Sequence, residues 1–443
     1  MSLPDFDNPS STSQASKAFT TSKASKALII TYYWPPSSGA GVQRWLKFSK
    51  YLPSFGWEPI ILTINPEYAT YPAIDNSLCS EISGDLKVYR TNATDYFRFY
   101  NKDKSKIPSA GFATDDQKGF RTNILRFVRG NFFIPDPRRG WNKHALREAC
   151  RLIEEEGIKH IITTSPPHST QLIGLKLKKK YPEIKWIADL RDPWTDIYYY
   201  DQFFHTPYAR KIDGNYEKKV LKTADRIITV GQSLKNLFCA KLPGIENKTE
   251  VITNGYDEND FIGLSPSNPE ILTISYIGTL SDSYPVSGFI EAFKSLVSNG
   301  YKIQLRFVGT VSPGQKNLIL SEIDNSLVQF LPFVNHQDAI KYMMGSSALL
   351  LIIPDHQSNR SIITGKLFEY LASGKPVLCI GPEDGDAAGI LSSTSHGICA
   401  GYDDNEGIRR IIKNCYEASS QEGKSAPAEF NRVNLTKKLA SLL

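Results

Sequence analysis

The sequence predicts an α/β protein made of two doubly wound parallel units that face each other across a cleft. Three observations carry this expectation. Short aliphatic runs of strand length alternate with segments of helical period, the pattern of a parallel sheet with helices on its faces. The alternation stops at a Pro/Ser-rich stretch, DFIGLSPSNPE (260–270), and then starts afresh. At 443 residues the chain is long enough for two domains of ordinary size.

The first unit opens with ALIITYY (27–33), a buried-strand run ending in the loop WPPSSGAG. A helix follows, VQRWLKFSKYL (42–52), with Trp45, Leu46, Phe48 and Leu52 on or near one face. EPIILTI is the next strand. The pattern resumes with a helix near 142–156, strand KHIITTS (159–165), helix 169–180, strand IKWIADL (184–190), helix 207–223, strand RIITV (226–230), helix 232–241 and strand TEVITNGYD (249–257). The second unit reads LTISYIG, helix 286–298, IQLRFVG, helix 313–324, VQFLPF, helix 336–344, ALLLII, helix 365–373 and PVLCI. Ligands of such sheets bind at the carboxyl ends of the strands. Residues 1–26, rich in Ser, Thr, Ala and Lys, have no apolar period and read as a disordered tail. The expected division is 1–26 tail, 27–260 first domain, 261–427 second domain and 428–443 a terminal helix.

Composition narrows the function classes. Hydrophobic residues make up 41% and charged residues 22%, as in a globular protein, and no aliphatic run is long enough to span a bilayer. The N-terminus lacks an apolar signal core, so a cytoplasmic location is expected. Six scattered cysteines have no metal-ligand spacing and read as reduced thiols, and no metal site is expected. The net charge of +6 suits anionic partners. A concentrated basic stripe is missing, which argues against nucleic acid.

The most informative stretch is SIITGKLFEYLASGKPVLCI (361–380). With a helix starting near Thr364 or Gly365, Lys366 and Glu369 share a face and lean toward the preceding loop. That helix end carries free N–H groups and a partial positive charge, a natural diphosphate site, to which Lys366 adds a full charge. A carboxylate there needs a hydrogen-bond donor opposite it, and a ribose diol is one. An exposed ion pair is the other reading of Lys366 and Glu369.

GKLFEYLASGKPVL resembles the nucleotide-sugar segment of retaining GT-B glycosyltransferases of family four. ITYYWPPSSGAGVQRWLKFSKYL, FIPDPRRGW, ITTSPPHSTQLIGLKLKK, ADLRDPWTDIYYY and ADRIITVGQSL resemble the corresponding segments of Bacteroidetes-type members. The resemblance implies a GT-B fold, with the donor held mainly by the second lobe. It also implies sugar transfer from a nucleotide diphosphate, most often UDP, with retention, and usually without a metal or other cofactor. Glu369 then takes the ribose hydroxyls and Lys366 the phosphates. The terminal helix, with Leu435, Leu439 and Leu442 in rough register, would cross back onto the first lobe; a solvent-side helix is the alternative. The chain departs from the family at Ser361, where many members carry a first glutamate, and in YIGTLSDSYPVSG, which lacks their Arg and Lys. Arg360, or the first lobe, is then expected to supply the missing charge; a solvated loop residue is the other reading of Arg360.

The remaining motifs all follow strands. In PPSSGAG, Gly39 and Gly41 let backbone approach a ligand, and Arg44 in the first helical turn can face the same phosphate; a tight turn and a surface charge are the plain alternatives. GAGVQR lacks the full spacing of a dinucleotide fingerprint. TSPPHST places His168 near the next helix start, in a lobe where a loop histidine of the family often contacts donor sugar or acceptor; a structural or solvent-exposed histidine is the alternative. DLRDPWTD puts Asp189, Arg191 and Asp192 where acceptor hydroxyls can bind, with Asp192 a candidate base; a structural Arg–Asp network is the alternative. Phe333 in FLPFVNHQDA is the family's candidate for stacking on the base, or else a core residue. Residues 120–133, within FRTNILRFVRGNFFIPDPRRGW, mix arginines with Ile124, Leu125, Phe127 and Val128, which suits an anionic membrane surface or packing on the first lobe. The expected partners are therefore a nucleotide-sugar donor and a glycan or lipid-linked acceptor in surface polysaccharide or lipopolysaccharide assembly. A nucleotide-sugar epimerase of the same fold and a non-catalytic sugar-nucleotide-binding subunit are the competing functions.

Overall fold

The computed structural model describes residues 24–94, 120–265, 269–417 and 423–443, with the side chains of 120–122 also outside the description. Most of the predicted tail and Arg121 therefore lie outside it. In the first lobe the chain runs β1 (Ser25–Ile30), α1 (Ala40–Tyr51), β2 (Trp57–Ile64), β3 (Lys87–Thr91), α2 (Phe120–Phe132), α3 (Asn142–Glu156), β4 (His160–Ser165), α4 (Gln171–Lys180), β5 (Lys185–Leu190), α5 (Pro207–Thr223), β6 (Arg226–Thr229), α6 (Gln232–Lys241) and β7 (Thr249–Val251). The second lobe holds β8 (Leu272–Ile277), α7 (Ser287–Ser298), β9 (Ile303–Val308), α8 (Pro313–Glu322), β10 (Val328–Leu331), α9 (His336–Met344), β11 (Ala348–Ile352), α10 (Gly365–Ala372), β12 (Val377–Ile380), α11 (Asp386–Thr394), β13 (Gly397–Ala400) and α12 (Asn405–Glu417). A last helix, α13 (Arg432–Ala440), closes the chain.

The strands form two all-parallel sheets ordered β3-β2-β1-β4-β5-β6-β7 and β10-β9-β8-β11-β12-β13. Each sheet is buried on both faces, as its aliphatic strands require. Alternate residues of β1 illustrate this: Leu28 and Ile30 enter one core and Ala27 and Ile29 the other. Strand order reverses between β1 and β4 in the first sheet and between β8 and β11 in the second. Such switch points open a crevice at the strand ends.

Several elements differ from expectation. The first strand starts at Ser25, two residues inside the predicted tail. TEVITNGYD is strand only over Thr249–Val251, because its remainder carries the chain to the second lobe. Edge strands β3 and β13 have no continuous apolar run to announce them. Helices α11 and α12 also escaped the periodicity reading, although α12 buries Ile408, Ile411, Ile412 and Cys415.

The terminal helix packs on the first lobe. Leu435, Leu439 and Leu443 share a core with Trp45, Leu46, Phe48 and Leu52 of the α1 region. Its entry runs beside the outgoing linker: Tyr256 N–H donates to Phe430 O (3.0 Å) and Arg432 N–H to Tyr256 O (2.9 Å). On the far rim the lobes are joined by polar contacts. Ser233 N–H and Oγ donate to the Asp386 carboxylate (3.0 and 2.8 Å), Ser358 Oγ donates to Asp196 O (2.9 Å), and Tyr198 stacks on His356 at 4.0 Å between centroids.

Candidate functional site

The loops after β1, β4, β5, β8 and β11 converge where the lobes meet. On the first lobe Gly39, at φ +109°, turns the chain into α1 and presents Ala40 and Gly41 at the helix tip. The Arg191 guanidinium covers Gly41 so closely that a β-carbon there would overlap it. Arg191 is held by Thr164 Oγ1 (3.2 Å from Nε) and Pro166 O (3.4 Å from Nη2). On the second lobe Gly278, at φ +124°, ends β8 and leaves room for the Lys366 ammonium, 3.1 Å from where its β-carbon would be. The tips of α1 and α10 then meet: a β-carbon added to Gly365 would lie 2.6 Å from the Ala40 methyl. Two sets of free helix N–H groups, with a cation beside each, thus face one small volume.

Lys366 has no hydrogen-bond partner for its covered ammonium, which lies 3.9 Å from the centre of the Tyr276 ring. Burial, opposed by Glu369, pulls its pKa down to about 7. Thr364, the residue before α10, keeps a buried hydroxyl without a partner. Glu369, one turn further in, is bonded through Oε1 to His336 Nε2 at 2.9 Å. Burial opposes charge on His336, but the bond to Glu369 and the negative charges of Glu369 and Asp260 outweigh it and raise the pKa to about 9.

His168 follows β4 and lies flat on Trp194, 4.8 Å between centroids. Asp136 fixes its turn by accepting Ser169 N–H and Oγ, each at 2.8 Å. Both His168 ring nitrogens are covered and unpartnered, and burial with the charges of Arg191 and Lys241 drops its pKa to about 3. The ring is a neutral donor/acceptor. Asp192 is half-buried after β5, and burial raises its pKa against the pull of Arg191.

Other predicted residues are placed differently. Arg44 does not face the space at the helix tips: it is fully buried, donating to Thr253 O (2.7 Å) and Asp189 Oδ1 (3.2 Å). The helix starts at Ala40, so Arg44 falls more than a turn in, on the face against the sheet. Asp189 is likewise turned inward. It is fully buried and also accepts from Trp45 Nε1 and Thr164 Oγ1, each at 2.8 Å, which uses up its oxygens. The structural Arg–Asp network left open by the sequence is the one that forms. Arg360 projects from the rim in an ion pair with Asp384, both about two-thirds exposed. Ser361 turns its hydroxyl onto Ser358 O. Phe333 is not core; it is 69% exposed ahead of α9.

Sequence reasoning missed His336 and Arg432. His336 opens a helix after a strand end, so the rule that found His168 applied to it equally. Arg432 comes from the terminal helix and reaches the Glu369 region only through the chain's return to the first lobe.

Residues 108–260 match the family described as Glycosyltransferase Family 4. Among curated proteins none matches the chain. Solved structures with the same architecture include HepE from Anabaena in complex with UDP and glucose, at 14% identity and TM-score 0.57, covering 94% of this chain and 98% of that one. The lipopolysaccharide outer core galactosyltransferase WaaB is similar at 12% identity and TM-score 0.56, covering 94% and 98%. An enzyme described as a putative UDP-N-acetylglucosamine 2-epimerase from Listeria monocytogenes is similar at 10% identity and TM-score 0.52, covering 94% and 95%. The fold is GT-B.

Proposed function

We propose that the protein is a glycosyltransferase that moves a sugar from a nucleotide diphosphate, UDP in the first instance, to a glycan or lipid-linked glycan in surface polysaccharide assembly. The observation that carries this is the meeting of the α1 and α10 tips over the unpartnered Lys366 ammonium. A diphosphate between them would gain two helix ends and two cations, Lys366 and Arg191. Glu369, bonded through Oε1 to His336, would then take the ribose hydroxyls, and neutral His168, stacked on Trp194, would contact the sugar.

The reaction is expected to retain the anomeric configuration without a metal, with the leaving diphosphate oxygen taking the acceptor proton on the same face. The protein's share is positional and electrostatic: it fixes the donor, neutralises the departing diphosphate and excludes water. Asp192, with its raised pKa, is the protein's own candidate proton acceptor near the acceptor side. A membrane-bound acceptor would suit α2, where Ile124, Leu125, Phe127 and Phe132 are exposed while Arg129 packs over Phe203. No helix among the described residues is long and apolar enough to cross a membrane.

The test is a thermal-shift panel of nucleotide sugars followed by incubation of the stabilising donor with acceptor pools. Transfer of the sugar with retained configuration is the expected result. A new sugar-nucleotide isomer from donor alone would favour the epimerase reading, for which the Listeria neighbour is the specific support. Binding without turnover on any acceptor would favour a non-catalytic subunit. Failure of every nucleotide sugar to bind would end the proposal.

A further inference from the structure

Glu369 does not stand alone in the cleft. His336 Nε2 lies 2.9 Å from its Oε1, and the two side chains are only 14% and 16% exposed. His336 begins α9 directly after Asn335, whose side chain accepts from Asp338 N–H and fixes the start of the helix. Charged groups reach this pair from every neighbouring element. The linker brings Asp257 and Asp260, both tied to Lys47 of α1 at 2.9 Å. Arg432 comes from α13, 3% exposed, with its Nη1 unpartnered. Arg44 shares the Phe48 ring with Arg432, the guanidinium carbons lying 4.9 and 5.9 Å from its centre. Lys366 is one turn away on α10. Asp257, Asp260 and Arg44 are held by other partners, Arg432 and Lys366 act on Glu369 by charge, and His336 is the group hydrogen-bonded to it.

A carboxylate gripped at one oxygen has its plane fixed and its other oxygen free to accept. A ribose diol offers two O–H donors to such a group. We propose that His336 is a positioning residue that holds Glu369 in register for the ribose diol of a nucleotide, and that its proton makes recognition of the ribose pH-dependent. The inference rests on the nucleotide-diphosphate reading above and deepens it. With the His336 pKa at about 9, the grip is charge-assisted through neutral pH and weakens above it to that of a neutral N–H donor. The same bond contributes fold stability that is fully present below the ordinary histidine value of 6.5 and lost as pH rises through about 9.

The experiment compares a ribonucleoside diphosphate with its 2′,3′-dideoxy form by calorimetry between pH 7 and pH 10. UDP is the first probe, with GDP and ADP in the same panel. Taking the ratio of the two affinities cancels the titration of Lys366, since both ligands carry the same diphosphate. The intact wild type is expected to prefer the ribonucleotide by about tenfold or more at pH 7, the worth of a hydrogen bond to a charged group. That preference should shrink toward pH 10. His336→Ala should show a small, pH-independent ratio. His336→Gln, a neutral N–H donor like the unprotonated ring, should show a ratio between those of the wild type at pH 7 and His336→Ala, without the pH dependence. Ribonucleotide binding with the wild-type ratio and pH course in both variants would overturn the inference alone, as would a flat wild-type profile. If no nucleoside diphosphate binds at all, the proposed function falls together with it.

Discussion

Gly365 of the second lobe rests against Ala40 of the first, with 2.6 Å between the Ala40 methyl and the position a Gly365 β-carbon would take. Both residues sit at rigid helix starts, so neither yields without moving its lobe. Gly365→Ala is therefore expected to hold the cleft ajar and raise the donor KM at least about tenfold. Ala40→Gly alone should be mild, and the double variant should recover most of the loss. Steady-state kinetics on the four proteins forms the cycle; additive effects would show that the two tips do not constrain each other.

Lys366 carries a proton question of its own. Its pKa of about 7 lies below the ordinary 10.5, so between those values the unfolded chain binds more protons than the folded one. Wild-type stability should therefore rise relative to Lys366→Met as pH goes from 7 toward 10.5, as followed by urea unfolding at several pH values. An arriving diphosphate restores the charge. Nucleotide binding at pH 8 should take up a proton, seen as a dependence of calorimetric enthalpy on buffer ionisation heat. Lys366→Met should bind about 10- to 100-fold more weakly and show no uptake.

Arg44 tests the correction to the sequence reading. Removing it leaves the fully buried Asp189 carboxylate without its nearer charge partner, with Arg191 remaining at 3.8 Å. Arg44→Ala is expected to cost about 3 kcal/mol or more of stability, read from the denaturation midpoint. The folded fraction should keep its donor KM. A phosphate ligand would behave the opposite way, with a large KM change and little loss of stability.

His168 stacks on Trp194 with both ring nitrogens covered and without a hydrogen-bond partner. His168→Ala should lower kcat about 100-fold while donor binding by calorimetry stays near wild type. With its pKa near 3, this ring contributes no inflection to the kcat profile around pH 6.5. A wild-type kcat in the variant would remove His168 from the site.

The architecture was legible because both sheets are buried on two faces. Strands such as ALIITYY and ALLLII then become unbroken aliphatic runs, and the helices between them keep a one-sided stripe. Edge strands β3 and β13 lack that signature, since one side of each meets no neighbouring strand. For the site, the strand-end loops that single out Gly39, Gly41, Arg191, His168, Gly365 and Lys366 in the sequence are strand-end loops in the structure, where Arg191 covers Gly41 and Gly365 rests against Ala40. Arg44 and Asp189 misled for one shared reason. A charge near a strand end looks the same in sequence whether it turns to solvent or into a buried pair, and only the register of α1 against the sheet decides it. His336 and Arg432 join Glu369 through tertiary packing between segments far apart in the chain, which no spacing rule encodes.

The backbone passes between the lobes twice, and the two passages are zipped together where Tyr256 meets Phe430 and Arg432. Opposite them the fastenings among the described residues include Ser233 with Asp386, Ser358 with Asp196, and the Tyr198–His356 ring pair. Polar fastenings of this kind are worth about 1 kcal/mol apiece against water. The molecule is thus built like a book with a double-stitched spine and a light clasp, so that parting the clasp would leave the core of each lobe packed as it is.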